Sequence, residues 1–136
     1  MKVFYFITKS ELGGAQMVVY ELLRAHKDKG DEVVVMAHGT GWLAEKTRTL
    51  GFKYVENPYM RKTYNPWILL RAAITFVHAV KKFHPDVVSL HSSFSGVVGR
   101  LALRRGYPIV YTAHGWGFTA GTSWLRKGIA IVGEKI

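Results

Sequence analysis

The feature that most constrains this chain is the order in which short apolar runs and amphipathic stretches alternate along it. Val3–Thr8, Glu32–Ala37, Lys53–Glu56, Val87–Leu90 and Ile109–Thr112 are runs of strand length, and the segments between them carry apolar residues at helical spacing. Strands separated by a helix's worth of chain pair in parallel, because a parallel pair needs a crossover long enough to hold that helix. The pattern predicts an α/β fold, an open parallel sheet sandwiched by helices.

Punctuation residues bound the helices. Gln16–Lys29 places Val18, Val19, Leu22, Leu23 and Ala25 on one broad apolar face, and Gly30 stops it. Trp42–Leu50 is closed by Gly51, and Pro66–Phe83 has Pro66 at its first turn and Pro85-Asp86 beyond its end. A fourth helix, Ser95–Arg105, takes Ser95 as its cap and ends before Gly106, and a fifth starts at Thr122 or Ser123. One folded unit, an α/β domain over residues 1–136, is expected.

Composition matters for what it excludes. A chain of 136 residues with 49% hydrophobic and 21% charged residues buries an ordinary core. It has no cysteine, which removes disulfides, thiolate catalysis and cysteine-bound zinc and fits a reducing compartment. The apolar run after Met1 is soon interrupted by Lys9 and Glu11 and reads as a first strand rather than a leader. The longest stretch free of Asp, Glu, Lys and Arg, Gly106–Leu125, contains Pro108, several glycines and His114, so it is no spanning helix.

The net charge of +10 is uneven. Residues 1–56 hold eight Lys/Arg against seven Asp/Glu, whereas residues 57–133 hold ten against one, Asp86. Such a field suits an anionic partner: a nucleotide diphosphate, a lipid phosphate, an anionic membrane face or nucleic acid. No helix-turn-helix, zinc-finger or RNA-recognition signature accompanies the charge, so no specific nucleic-acid partner is expected. A surface that is merely basic and soluble is the plainer alternative.

In open parallel sheets, ligands bind outside the C-terminal ends of the strands. Three unusual segments fall at such ends: Lys9–Gly14, His91–Ser95 and Ala113–Gly117. Gly13-Gly14 lets backbone amides approach an anion where the positive end of a helix dipole favours phosphate, or else serves only a tight turn. It is neither a Walker loop nor a full dinucleotide fingerprint, and no acidic residue ends the second strand, so no nicotinamide cofactor is expected. His91, Ser92 and Ser93 offer an imidazole and two hydroxyls to a sugar or phosphate, or a polar cap for the next helix. Around His114, Gly115, Trp116, Gly117 and Phe118 combine close backbone approach with sugar-stacking faces. His114 is the candidate acid/base or hydrogen-bond donor, with a purely structural histidine as the alternative. His26, His38, His78 and His84 show no metal-ligand spacing and no Asp-x-Asp is present, so no metal is expected.

KVFYFITKSELGGAQMVVYELLRAHKDKGDEVVVMA resembles the opening of the family 4 glycosyltransferases of the GT-B fold, and HPDVVSLHSSFSGVVGRLALRRGYPIVYTAHGWGF extends the likeness to bacterial enzymes that build capsule, exopolysaccharide or O-antigen units. The resemblance implies metal-free, retaining transfer from a nucleotide-activated sugar, with uridine diphosphate as the carrier, to a lipid-linked or oligosaccharide acceptor. It implies that Gly13 and Gly14 line the diphosphate and that His114 sits beside the donor sugar as the catalytic contact. His91, Ser92, Ser93, Gly115 and Trp116 become acceptor-side contacts. It also implies a second, donor-binding C-terminal domain absent from this chain, whose IAIVGEKI end is expected inside a helix leading to it, so that the isolated half is inactive. Such acceptors lie at the cytoplasmic face of the membrane, and the Tyr59–Trp67 loop, with Arg61, Lys62, Tyr64 and Trp67, is the candidate membrane contact. The competing readings are a non-catalytic module that binds an anion or partner, and a small complete hydrolase using His114.

Overall fold

The computed structural model describes residues 1–60, 65–103, 106–112 and 131–134. Its elements follow as β1 (Lys2–Lys9), α1 (Gly14–Lys29), β2 (Glu32–His38), α2 (Trp42–Thr49), β3 (Lys53–Glu56), α3 (Pro66–Phe83), β4 (Val87–His91), α4 (Ser93–Ala102), β5 (Ile109–Thr112) and β6 (Ile131–Glu134). The sheet order is β3-β2-β1-β4-β5-β6. β1 to β5 pair in parallel, as the alternation predicts, and β6 adds an antiparallel edge on β5. This corrects the helical expectation for the IAIVGEKI end: Ile131 and Val132 are β-branched, and they pair with Thr112 and Tyr111. The fifth helix expected from Thr122 or Ser123 lies outside the described residues.

The period of two along β1 explains the layers. Phe4 and Phe6 point to one face, where Ala72, Phe76 and Val80 of α3 and Val98 of α4 close a core over Met36, Val88 and Leu90. Val3, Tyr5 and Ile7 point to the other, where Val19 and Leu23 of α1 and Leu43 and Ala44 of α2 cover Val33, Val35 and Ala37. Phe6 stacks on Phe76 with ring centroids 4.1 Å apart, so α3 is seated directly on the central strand. α4 approaches as closely through glycine. A Cβ on Gly99 would lie 2.6 Å from Leu90 Cδ2, and one on Gly96 would collide with the Tyr111 ring.

Local signals set most helix ends. Asn65 caps α3 by accepting from the Trp67 amide at 3.0 Å, and Pro66 follows at the first turn, where its missing N–H costs nothing. Gly30, at φ 75°, ends α1 in the left-handed conformation. Just past it, Asp31 accepts from His26 Nδ1 at 2.8 Å, and His26 Nε2 shares a 2.6 Å hydrogen bond with the Tyr5 hydroxyl. This chain of bonds joins the end of α1 to β1. α4 departs from expectation. It starts at Ser93 rather than at a Ser95 cap, because Ser95 is buried and its hydroxyl donates back to the His91 carbonyl. It also ends at Ala102, before the expected Arg105.

Two expected outcomes follow. Phe76→Ala removes the ring that joins α3 to β1 and should lower unfolding stability by about 3–5 kcal/mol in urea titrations. The hydrogen bond from His26 is the main cause that holds the Asp31 carboxyl below its ordinary pKa of 3.8. The folded state therefore favours the ionised form more than the unfolded chain does. That contribution is complete above the ordinary value and is lost as pH falls below it. Urea midpoints measured between pH 6 and pH 3 should fall less steeply for Asp31→Asn than for the parent chain.

Candidate active-site crevice

β1 lies between β2 and β4, and the chain leaves β1 and β4 in opposite directions along the sheet. α1 rises on one face and α4 on the other, so the loops after these two strands diverge and leave a crevice at their C-terminal ends, where α/β sheets bind ligands. Two of the three predicted segments, Lys9–Gly14 and His91–Ser95, meet here. The third, Ala113–Gly117, follows Thr112, whose Cα pairs with His91 across β4 and β5. His114, Gly115 and Trp116 themselves lie outside the described residues.

The floor of the crevice is a hydrogen-bonded link that sequence reasoning missed. Thr8 Oγ1, at the end of β1, shares a 2.6 Å hydrogen bond with Ser92 Oγ, just past β4. Ser92 Oγ also lies 3.1 Å from Ser95 Oγ, and the Ser92 amide donates to the Thr112 carbonyl at 3.3 Å. Ser92 thus ties together β1, β5 and α4, and it does so at φ 79° and ψ 157°, a region that L-residues other than glycine rarely occupy. The only signal in sequence was that Thr8 is a polar residue closing an apolar run.

On the opposite wall, the loop after β1 is fastened from within. Ser10 Oγ accepts from the Ala44 amide at 2.9 Å and the Ser10 carbonyl accepts from Leu43 at 2.9 Å, so Ser10 satisfies the start of α2. Gln16, buried in the first turn of α1, donates to the Lys9 carbonyl at 2.8 Å. The two glycines then differ in kind. A Cβ on Gly13 would lie 2.7 Å from Gln16 Oε1, which gives that glycine a packing reason. A Cβ on Gly14 would meet nothing within 4 Å, and Gly14 is exposed at the first position of α1. α1 and α4 both start without a side-chain cap from their own N-cap residue and without an acidic residue in the first turn. No carboxylate in the first turn of either helix therefore offsets its positive dipole end.

Other predicted residues take different places. His91 is 1% exposed; its Nε2 shares a 2.8 Å hydrogen bond with Ser89 Oγ, and its ring lies 5.5 Å from that of Tyr5. The strand's alternation turns it inward beneath the crevice, although the sequence reading made it an acceptor-side contact. Ser93 opens α4. Of the membrane candidates, Arg61, Lys62 and Tyr64 lie outside the described residues. Tyr59 is half-buried under Arg71, whose guanidinium stands 5.8 Å from its ring centroid, because Asn57 is buried and bonded to the Ala72 carbonyl at 3.0 Å. Trp67 is 72% exposed. Among the described residues, no group of three His, Cys, Asp or Glu could hold a metal ion, and no helix is long and apolar enough to cross a membrane.

The Ser92 backbone provides a stability test. Ser92→Ala loses the hydroxyl and keeps the unfavourable φ, whereas Ser92→Gly loses the same hydroxyl and relieves it. Thermal or urea unfolding should show the glycine variant more stable than the alanine variant by about 1–2 kcal/mol.

This geometry agrees with comparisons to known proteins. Residues 12–133 match Glycosyltransferase Family 4. Curated proteins return no match. Among solved structures, MurG of Acinetobacter baumannii superposes with a TM-score of 0.64 at 19% identity, over 94% of this chain and 39% of its own. A glycosyltransferase from Rickettsia africae gives 0.67 at 18% identity, over 90% and 32%. HepE from Anabaena, solved in complex with UDP-glucose, gives 0.63 at 17% identity, over 85% and 29%. The chain thus spans about two-fifths or less of each of these structures and shares with them the Rossmann-like half of a GT-B architecture. With the match covering residues 12–133, from the loop after β1 through the remaining parallel strands, the chain belongs to glycosyltransferase family 4.

Proposed function

We propose that this chain is the acceptor-side half of an enzyme that transfers a sugar, with retention and without a metal, from a uridine-diphosphate sugar to a lipid-linked or oligosaccharide acceptor. The observation that carries the reading is the crevice between β1 and β4, flanked by two helix N-termini with no acidic residue in their first turns, where Gly14 leaves the backbone bare. In this reading the diphosphate approaches Gly13 and Gly14, and Ser92 and Ser93 present hydroxyls to the acceptor. His91 acts from below by holding the turn. His114 is the catalytic contact beside the donor sugar, with Gly115 and Trp116 on the acceptor side. A second Rossmann-like domain, outside these 136 residues, supplies the nucleotide pocket and closes the cleft.

The same reading sets the enzyme against an anionic membrane face. Trp67, Leu70 and Ile74, spaced along one stripe of α3, are 72%, 49% and 58% exposed. α3 follows β3, so its Trp67 end lies toward the same side of the sheet as the crevice. A membrane contact here would bring a lipid-linked acceptor to the strand ends. Cosedimentation with phosphatidylglycerol vesicles should be lost when Arg61 and Lys62 are changed to glutamate and Trp67 to alanine; unchanged binding would remove the membrane contact from the reading.

The function is tested by a transfer assay with UDP-sugar donors, run on this chain alone and on a gene product carrying both halves. The two-half protein should turn over with no loss in EDTA, and His114→Ala should lower kcat by about 10²–10⁴-fold. Gly14→Val should raise the KM for donor while leaving the fold intact, since Gly14 has no packing neighbour. Turnover by this chain alone would overturn the half-enzyme reading. A gene that encodes no second half would favour a non-catalytic anion- or partner-binding module.

A further inference from the structure

Away from the crevice, α3 and the β2–β3 side of the sheet enclose a groove of about 500 Å³, a size ordinary for small-molecule sites. Val34, Met36 and Val55 form its floor, with Ile74 and Ala79 of α3 on the wall. Its polarity runs lengthwise. Register sets Lys53 beside Val34 and Val55 beside Met36, so Lys53 marks the N-terminal end of the strands. α3 runs antiparallel to them, and its Lys82 lies toward that same end, about 12 Å along the helix axis from Ile74. Lys53 and Lys82 are both exposed. His78 stands on the lip between the two ends, and no Asp or Glu lines the groove. Glu32, at the start of β2, is paired with Lys2 at 3.9 Å. At the other end of the lining stands Ile74, and Leu70 and Trp67, nearer the start of the same helix, are exposed as well.

We propose that this groove binds a single-chain anionic amphiphile. Its phosphate or carboxylate head sits between Lys53 and Lys82, and its acyl chain lies over the partly exposed Val55 and Ala79 toward Ile74, above the buried Val34 and Met36. Charge complementarity selects the head, because both cations stand at one end with no carboxylate in the lining to offset them. Burial of apolar surface drives the tail, since an extended hydrocarbon covers the partly exposed Val55 and Ala79 together with the exposed Ile74. A second copy of this chain is disfavoured by like charge at +10 per chain. A partner helix, about 10 Å across with its side chains, is wider than an extended acyl chain and fits the space less well. The proposal is independent of the transferase reading, as no nucleotide sugar enters it or its test.

The test is isothermal titration of this chain with dodecyl phosphate held below its micelle concentration. One saturable site is expected, weakened about tenfold or more when Lys53 and Lys82 are both changed to glutamate. Both side chains are exposed, so circular dichroism should show the fold unchanged. Ala79→Trp, which fills the groove without altering charge, should abolish the site, and neutral dodecanol should bind at least about tenfold more weakly than the phosphate. Three results would overturn the proposal: no saturable binding, binding indifferent to the paired lysine change, or binding to phosphatidylglycerol vesicles with none to the monomeric amphiphile.

Discussion

Everything in this fold depends on β1 being buried on both faces. Val3 through Ile7 are all buried, and alternate residues belong to two different cores. A slip of one residue would exchange the cores, so the register with β2 and β4 is fixed by packing as much as by hydrogen bonds. A strand enclosed in this way exposes polar chemistry only at its ends. Because its neighbours leave the sheet centre in opposite directions, the C-terminal end is also where two loops part. The crevice is therefore a consequence of the central strand's burial, and Thr8, Lys9 and Ser10 are its first residues outside the apolar run.

What was legible in the sequence followed rules local to a few residues. The five parallel strands emerged from β-branched and aromatic runs, and the end of α1 at Gly30 and the start of α3 at Pro66 from residues with one dominant backbone preference. What was not legible rests on contacts between distant segments. Asn57 and Met60 are buried because Asn57 bonds to Ala72 and Met60 joins the core under α3, although NPYMRKTYN reads as an exposed loop. Ser95 looked like a helix cap, yet its hydroxyl serves the His91 carbonyl. The conformation of Ser92 depends on Thr8 and Thr112, and no local rule places a serine at positive φ. β6 likewise needs β5 beside it before a short run such as IVGE becomes a strand.

The site divides in the same manner. Sequence spacing found its two walls, since a Gly-Gly pair and a His-Ser-Ser triplet at strand ends are visible without a fold. It did not distinguish residues that face the crevice from residues that support it. His91 belongs to the support: strand alternation turns it toward Tyr5 and Ser89, while the next residue, Ser92, meets the end of β1. Gly13 and Gly14 separate similarly, one explained by Gln16 and the other by nothing among the described residues. A glycine with no steric reason at the first turn of an uncapped helix is the kind of position where a ligand supplies the reason.

α3 shows how one helix serves two surfaces. Its inner stripe, Ala72, Phe76 and Val80, is fully buried against the central strand. Its outer stripe changes character along its length, apolar at Trp67, Leu70 and Ile74 and basic at His78, Lys81 and Lys82. Packing against the sheet accounts only for the inner stripe. Lysines at the last turn complement the helix dipole, which accounts for part of the basic end. Neither requirement calls for three large apolar side chains in water on the outer face, where each leaves surface exposed that burial would stabilise. The proposed membrane contact draws on the apolar half of this outer stripe, toward the crevice side of the sheet, and the proposed site for an anionic head on its cationic half, toward the opposite end.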